Sequence, residues 1–105
     1  MEIKELSIDI ETYSDVDIKK SGVYKYAESD NFEILLFAVS INSEPVILYD
    51  LANGDTLPED LLQALTDDHI IKWAFNASFE RICISHWLRK PVSYTHLTLP
   101  TMAVV

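Results

Sequence analysis

The chain is poor in the residues that staple, break or loosen a backbone. Its 105 residues include one cysteine, Cys83, two glycines and four prolines. A lone cysteine excludes an intrachain disulfide, which agrees with a reducing compartment. So few glycines exclude a Gly-rich phosphate-cradling loop and argue for regular elements joined by short connections. No apolar run approaches bilayer-crossing length, and Met1–Leu6 mixes charge with apolar residues instead of forming a signal-peptide core. A soluble cytoplasmic protein without membrane contact is expected. Basic residues are scarce too: 8 Lys and Arg stand against 17 Asp and Glu, a formal net charge of −9. Such a balance repels phosphate unless cations or basic surface elsewhere offset it, so composition alone votes against a nucleic-acid partner. What is abundant is hydrophobic residues, 49% of the total, enough for one small domain with a core.

Periodicity supplies the elements. Residues 3–11 alternate, with Leu6, Ile8 and Ile10 on one side and Ser7, Asp9 and Glu11 on the other, which predicts a strand. Residues 12–31 read as polar and irregular, with Ser21-Gly22 as a breaker and at most a helical turn near Asp15–Lys20. Residues 32–42 read as a mostly buried strand. A tight turn at Asn42-Ser43-Glu44 joins it to a further strand over Pro45–Asp50. Pro58 opens a helix, because its fixed φ and missing N–H suit a first turn and Glu59 and Asp60 favour the positive dipole end. His69–Phe75 reads as a short strand. Ala77–Arg89 reads as a second helix with Phe79, Ile82, Cys83, His86 and Trp87 as its buried face. The predicted order is β-β-β-α-β-α, an α/β arrangement over residues 1–90. Pro91–Val105 differs in kind, with no charged residue; Ser93–Thr101 resembles a translated sequencing-adapter read-through. We therefore expect 91–105 to be an artefactual or disordered tail.

The chemistry rests on carboxylates. Asp9 and Glu11 are two apart on a strand, so both point to one side at its C-terminal end, where α/β sheets hold ligands. Two acids this close repel, and a divalent cation between them recovers that cost. Oxygen ligands of this kind suit Mg²⁺ or Mn²⁺. By itself Asp-x-Glu is short and frequent, and a strand ending in solvent explains it. Asn76 fits an N-cap, Phe79 an anchor in the first turn, and Glu80 an acid beside the positive helix end. A capped helix alone also explains these.

Together they resemble a known pattern. Asp9-Ile10-Glu11-Thr12 resembles the first exonuclease motif of DnaQ-like nucleases. Asn76-Ala77-Ser78-Phe79-Glu80 resembles the second, with Glu where Asp is usual. Asp9–Thr12, Gly22–Tyr26, Phe32–Phe37 and Trp73–Arg81 look like the exonuclease region at the N-terminus of phage and prophage family A DNA polymerases.

The resemblance implies an RNase H-like mixed sheet, incomplete at its C-terminus. It also implies proofreading by 3′→5′ hydrolysis of phosphodiesters with two Mg²⁺ or Mn²⁺ ions. In that scheme Asp9 bridges both ions, Glu11 binds the ion that activates water, and Glu80 holds the second ion through water. Asn76 and Phe79 position the second motif, and Thr12 contacts the terminal nucleotide. The implied partners are a single-stranded DNA 3′ end and a downstream polymerase domain.

Tyr13, Tyr24 and Tyr26 are candidates for base stacking, although ordinary half-buried tyrosine is the better reading of them. The family's third motif, Tyr-x-x-x-Asp or its His version, is missing. No Asp or Glu follows Glu80, Tyr94 is followed four places on by Thr98, and His96 precedes no acid. The chain is therefore expected to be inactive alone.

Two rivals stand beside this reading: a non-catalytic RNase H-like interaction module, and a stand-alone DnaQ-like nuclease acting on RNA or short oligonucleotides. Other constellations are weaker. Cys83 and His86 on an apolar helix face read as core, and with His69 they make no zinc set. Ser78 or Ser85 with His86 lacks a glycine elbow and an orienting acid. Arg81, Arg89 and Lys90 read as a solvated basic helix end.

Overall fold

A computed structural model describes residues 2–74 and 76–88. The elements run β1 (Glu5–Tyr13), α1 (Ile18–Glu28), β2 (Glu33–Ile41), β3 (Ile47–Asp50), a 3₁₀ turn at Leu51–Asn53, α2 (Glu59–Leu65), β4 (Ile71–Ala74) and α3 (Ala77–Leu88). The fold is α/β, with a four-stranded mixed sheet in the order β3-β2-β1-β4 among the described residues. β1 is antiparallel to β2 and parallel to β4.

Alternation in β1 does what the sequence predicts: Leu6, Ile8 and Ile10 are buried, whereas Asp9 and Glu11 are exposed. The register places Ile8 opposite Val39 and Ile10 opposite Phe37. These four side chains join Leu61 and Leu65 of α2 and Ile82, Cys83 and Ile84 of α3 in one apolar core. Phe37, fully buried, stacks on Trp87 with ring centroids 6.5 Å apart.

The hairpin turn is as predicted. Glu44 N–H donates to the Ile41 carbonyl at 2.9 Å, and Asn42 and Ser43 both take positive φ, the mark of a primed turn. Asn42 also accepts through Oδ1 from Lys4 and Glu5 N–H and donates through Nδ2 to the Glu2 carbonyl, fastening the entry to β1. Pro58 stands as N-cap of α2, with Glu59 and Asp60 in the first turn.

The predicted order needs correction, because α1 occupies residues read as irregular, so the observed order is β-α-β-β-α-β-α. Asp17 caps this helix, its carboxylate accepting from Lys19 N–H at 2.9 Å. Gly22 interrupts it at φ 86°, ψ 169°, so the predicted breaker separates two short helical pieces that meet at a kink. The buried face of α3 is also shifted. Ala77, Glu80, Ile82, Cys83 and Ile84 are buried, whereas Phe79, His86 and Trp87 are half-buried. The expectations for 91–105, and for Arg89 and Lys90, lie outside the described residues.

Lys72 is a further surprise. It pairs beside Leu6 and is fully buried, with Nζ donating to the carbonyls of Asp67 (2.7 Å) and Ile70 (3.2 Å). Burial lowers its pKa, opposed by the charges of Asp67 and Asp68.

At Gly22 a Cβ would meet nothing within 4 Å, so only backbone conformation resists substitution there. Gly22→Ala should cost about 1–3 kcal/mol, the strain of a region that only glycine occupies freely. Denaturant midpoints measure it, and an unchanged midpoint would show that the kink is not required.

Candidate active site

Parallel pairing of β1 with β4 brings the two acidic segments to the same end of the sheet. Ile8 pairs with Ala74, so Asp9 follows directly after the last residue of β1 that pairs with β4, and α3 comes after β4 in the chain. Asn76 caps that helix. Its Oδ1 accepts from Phe79 N–H at 3.4 Å, and its carbonyl accepts from Glu80 N–H at 3.0 Å. The cap fixes the first turn and aims Glu80 inward.

Glu80 is 3% exposed, an uncommon state for a carboxylate. Its pKa is pushed up to about 9, first by burial and then by the charge of Asp9; a backbone hydrogen bond at Asn76 pulls the other way. Oε1 of Glu80 is buried without a hydrogen-bond partner. Leaving such an oxygen unpaired costs about 1–3 kcal/mol or more, so it asks for a proton or a cation. Cys83, one turn further on, has its thiol pushed up to about 12 by burial and by Glu80, and is inert as a nucleophile at neutral pH.

Of the residues singled out in the sequence, Asp9 and Glu80 lie within electrostatic reach of each other. Glu11 is exposed two residues further along β1. Among the described residues no three His, Cys, Asp or Glu side chains stand close enough together to hold a metal ion. What the described residues bring together is two acids, Asp9 and Glu80, with one buried oxygen of Glu80 unpaired.

Thr12 is half-buried, and its hydroxyl lies 2.9 Å from the Tyr26 hydroxyl. Tyr26 packs edge-on against Phe32 and tilted against Phe79, so its ring faces protein. Tyr13 and Tyr24 remain 51% and 59% exposed. Tyr26 is thus the half-buried tyrosine the sequence favoured, although its contacts with Thr12 and Phe79 were not read there. A groove of about 620 Å³, lined by Phe32, Ile34, Leu51, Leu57, Trp87 and Leu88 among others, includes neither Asp9 nor Glu80 and is not the seat of this chemistry.

Because the pKa of Glu80 is raised on folding, the folded state carries one more proton than the unfolded chain between about pH 4.5 and 9. This group's contribution to stability is complete below that window and is lost as pH rises through it, at up to about 1.4 kcal/mol per unit. In metal-free buffer the melting temperature should fall from pH 5 to pH 9. Glu80→Gln should flatten that fall and melt higher than wild type at pH 8. Parallel profiles for the two proteins would contradict the buried carboxyl group.

No protein-family model matches the chain. No helix among the described residues is long and apolar enough to cross a membrane. Over 83 residues the chain is 58% identical to a DNA polymerase of Bacillus phage SP02, a match covering 79% of this chain and 13% of that polymerase. The chain thus spans a small part of that relative's length, and its similarity relates it to one segment of a phage DNA polymerase.

Proposed function

We propose that this chain is part of the 3′→5′ proofreading exonuclease of a phage-type DNA polymerase, built on an RNase H-like sheet and acting on a single-stranded DNA 3′ end. The observation that carries the reading is the buried Glu80 carboxyl group with its unpaired oxygen beside Asp9. A central first strand bearing the acids, flanked by one antiparallel and one parallel neighbour, is the framework this reading requires. The polymerase relationship supplies a biological setting.

Asp9 and Glu80 would share a divalent ion, with Glu11 contributing from the same side of β1. When bound, Mg²⁺ or Mn²⁺ would lower the pKa of an attacking water and offset charge on the phosphate and the leaving 3′ oxygen. Glu80 must release its proton to act as a ligand, so cation affinity should strengthen with pH. Asn76 and Phe79 hold the first turn of α3, and Thr12 stands where β1 delivers its acids. Cations also answer the charge problem, because they let a chain of net charge −9 approach phosphate locally.

Residues 81–105 contain no Asp or Glu and add no carboxylate to the set. A second reading, a non-catalytic interaction module, is favoured by the lack of a three-ligand group among the described residues.

Thermal shift separates the two. With free Mn²⁺ at about 100 times its Kd, stabilisation should reach about 2.7 kcal/mol, several degrees for a domain of this size. Asp9→Ala should lose most of it, and equal shifts in the two proteins would sink the metal site. On a 3′-labelled single-stranded oligonucleotide the 105-residue chain should release nucleotides very slowly. Brisk Mg²⁺-dependent release would show that the acids present suffice.

A further inference from the structure

Four parts of the fold meet at Tyr26. It sits in the segment of α1 after the Gly22 kink, on the side that also carries buried Ala27. Its ring lies edge-on to Phe32, just before β2, at 5.8 Å and 71°, and tilted against Phe79 of α3 at 6.0 Å and 48°. Its hydroxyl lies 2.9 Å from Thr12 Oγ1, and its carbonyl accepts from Ser14 Oγ at 2.8 Å. Ser14 Oγ also accepts from Val16 N–H, closing the connection between β1 and α1.

The two contacts that matter flank the carboxylates. Thr12 follows Glu11, and Phe79 precedes Glu80. Between Glu11 and Thr12 the pairing with β2 slips by one residue, from Glu11–Leu36 to Thr12–Ile34. The extra residue is Leu35 of β2, and Thr12 and Tyr13 pair again with Ile34 and Glu33 beyond it, so the ladder is locally disrupted where the Thr12 hydroxyl meets Tyr26.

We propose that Tyr26 is a positioning residue for the carboxylate pair. Its hydroxyl fixes the slipped end of β1 while its ring fixes the first turn of α3, so one side chain sets where Asp9 and Glu11 stand relative to Glu80. Its functional meaning rests on the exonuclease reading; the structural part does not. An aromatic that merely fills core would need the ring and not the hydroxyl.

The test uses the 105-residue chain with Tyr26→Phe, which keeps the ring, and Thr12→Val and Thr12→Ser, which remove and keep the partner hydroxyl. Without metal, amide hydrogen exchange at Glu11, Thr12 and Tyr13 should quicken about fivefold in Tyr26→Phe and Thr12→Val, as expected from losing one hydrogen bond. The Kd for Mn²⁺, by calorimetry, should rise about threefold to tenfold in both. Thr12→Ser should match wild type, and the double variant Tyr26→Phe/Thr12→Val should be no worse than either single one. Unchanged exchange in Tyr26→Phe, additive losses in the double variant, or a Thr12→Ser as impaired as Thr12→Val would each overturn the proposal. So would an unchanged Kd in Tyr26→Phe where wild type binds. If wild type binds no Mn²⁺, the exonuclease reading falls and the exchange rates alone decide whether Tyr26 positions the strand.

Discussion

A carboxyl group shut away from water beside a second acid is the constraint around which this small fold is arranged. Glu80 lies within reach of the charge of Asp9, with one oxygen unsatisfied. Core positions of helices are cheaply filled by leucine or isoleucine, and α3 has such residues at Ile82 and Ile84. Keeping an acid in their company opposes folding, because burial penalises charge and a neutral carboxyl group still wants a partner. Polar groups held at such a cost concentrate where a protein does chemistry.

The surrounding structure has the means to bear that cost. β1 runs through the middle of the sheet, with buried Leu6, Ile8 and Ile10 facing the helices, so the strand that presents Asp9 is among the best anchored parts of the chain. α3 is capped by Asn76 and seated through Cys83, Ile84 and the Phe37–Trp87 stack. Asn42 grips the first residues of β1 from the hairpin turn, and buried Lys72 gathers carbonyls from the loop before β4. Each of these contacts limits how far the acid-bearing segments can drift apart.

Much of this was legible in the residues. Alternation over Leu6–Ile10 identified a half-buried strand and the face its acids take, and Pro58 and Asn76 marked two helix starts, because these signals are local and steric. α1 was not legible. Its kink at Gly22 splits the helical period into two pieces too short to stand out, and Lys19, Lys20 and Lys25 make the segment look like loop. The burial of Glu80 escaped as well: the period of α3 named Phe79, Ile82, Cys83, His86 and Trp87 as its inward face, whereas Ala77, Glu80, Ile82, Cys83 and Ile84 are the buried residues and Phe79 is half-buried against Tyr26 of α1. The burial of Lys72 was not read either, and its carbonyl partners make it tolerable. Tertiary partners, which a single sequence does not display, made the difference in each case.

The parallel pairing of β1 with β4 has a consequence for how the molecule assembles. β2 and β3 lie side by side across a tight turn and zip with little loss of chain freedom, whereas β1 and β4 are joined through nearly the whole intervening chain. Closing so long a loop is entropically slow and is repaid only once both partners are in place. The hairpin is thus fitted to form early, and Asp9 meets Glu80 late. Burying Glu80 beside Asp9, with the proton uptake it requires at neutral pH, then burdens the last steps of folding and spares the nucleus on which the rest condenses.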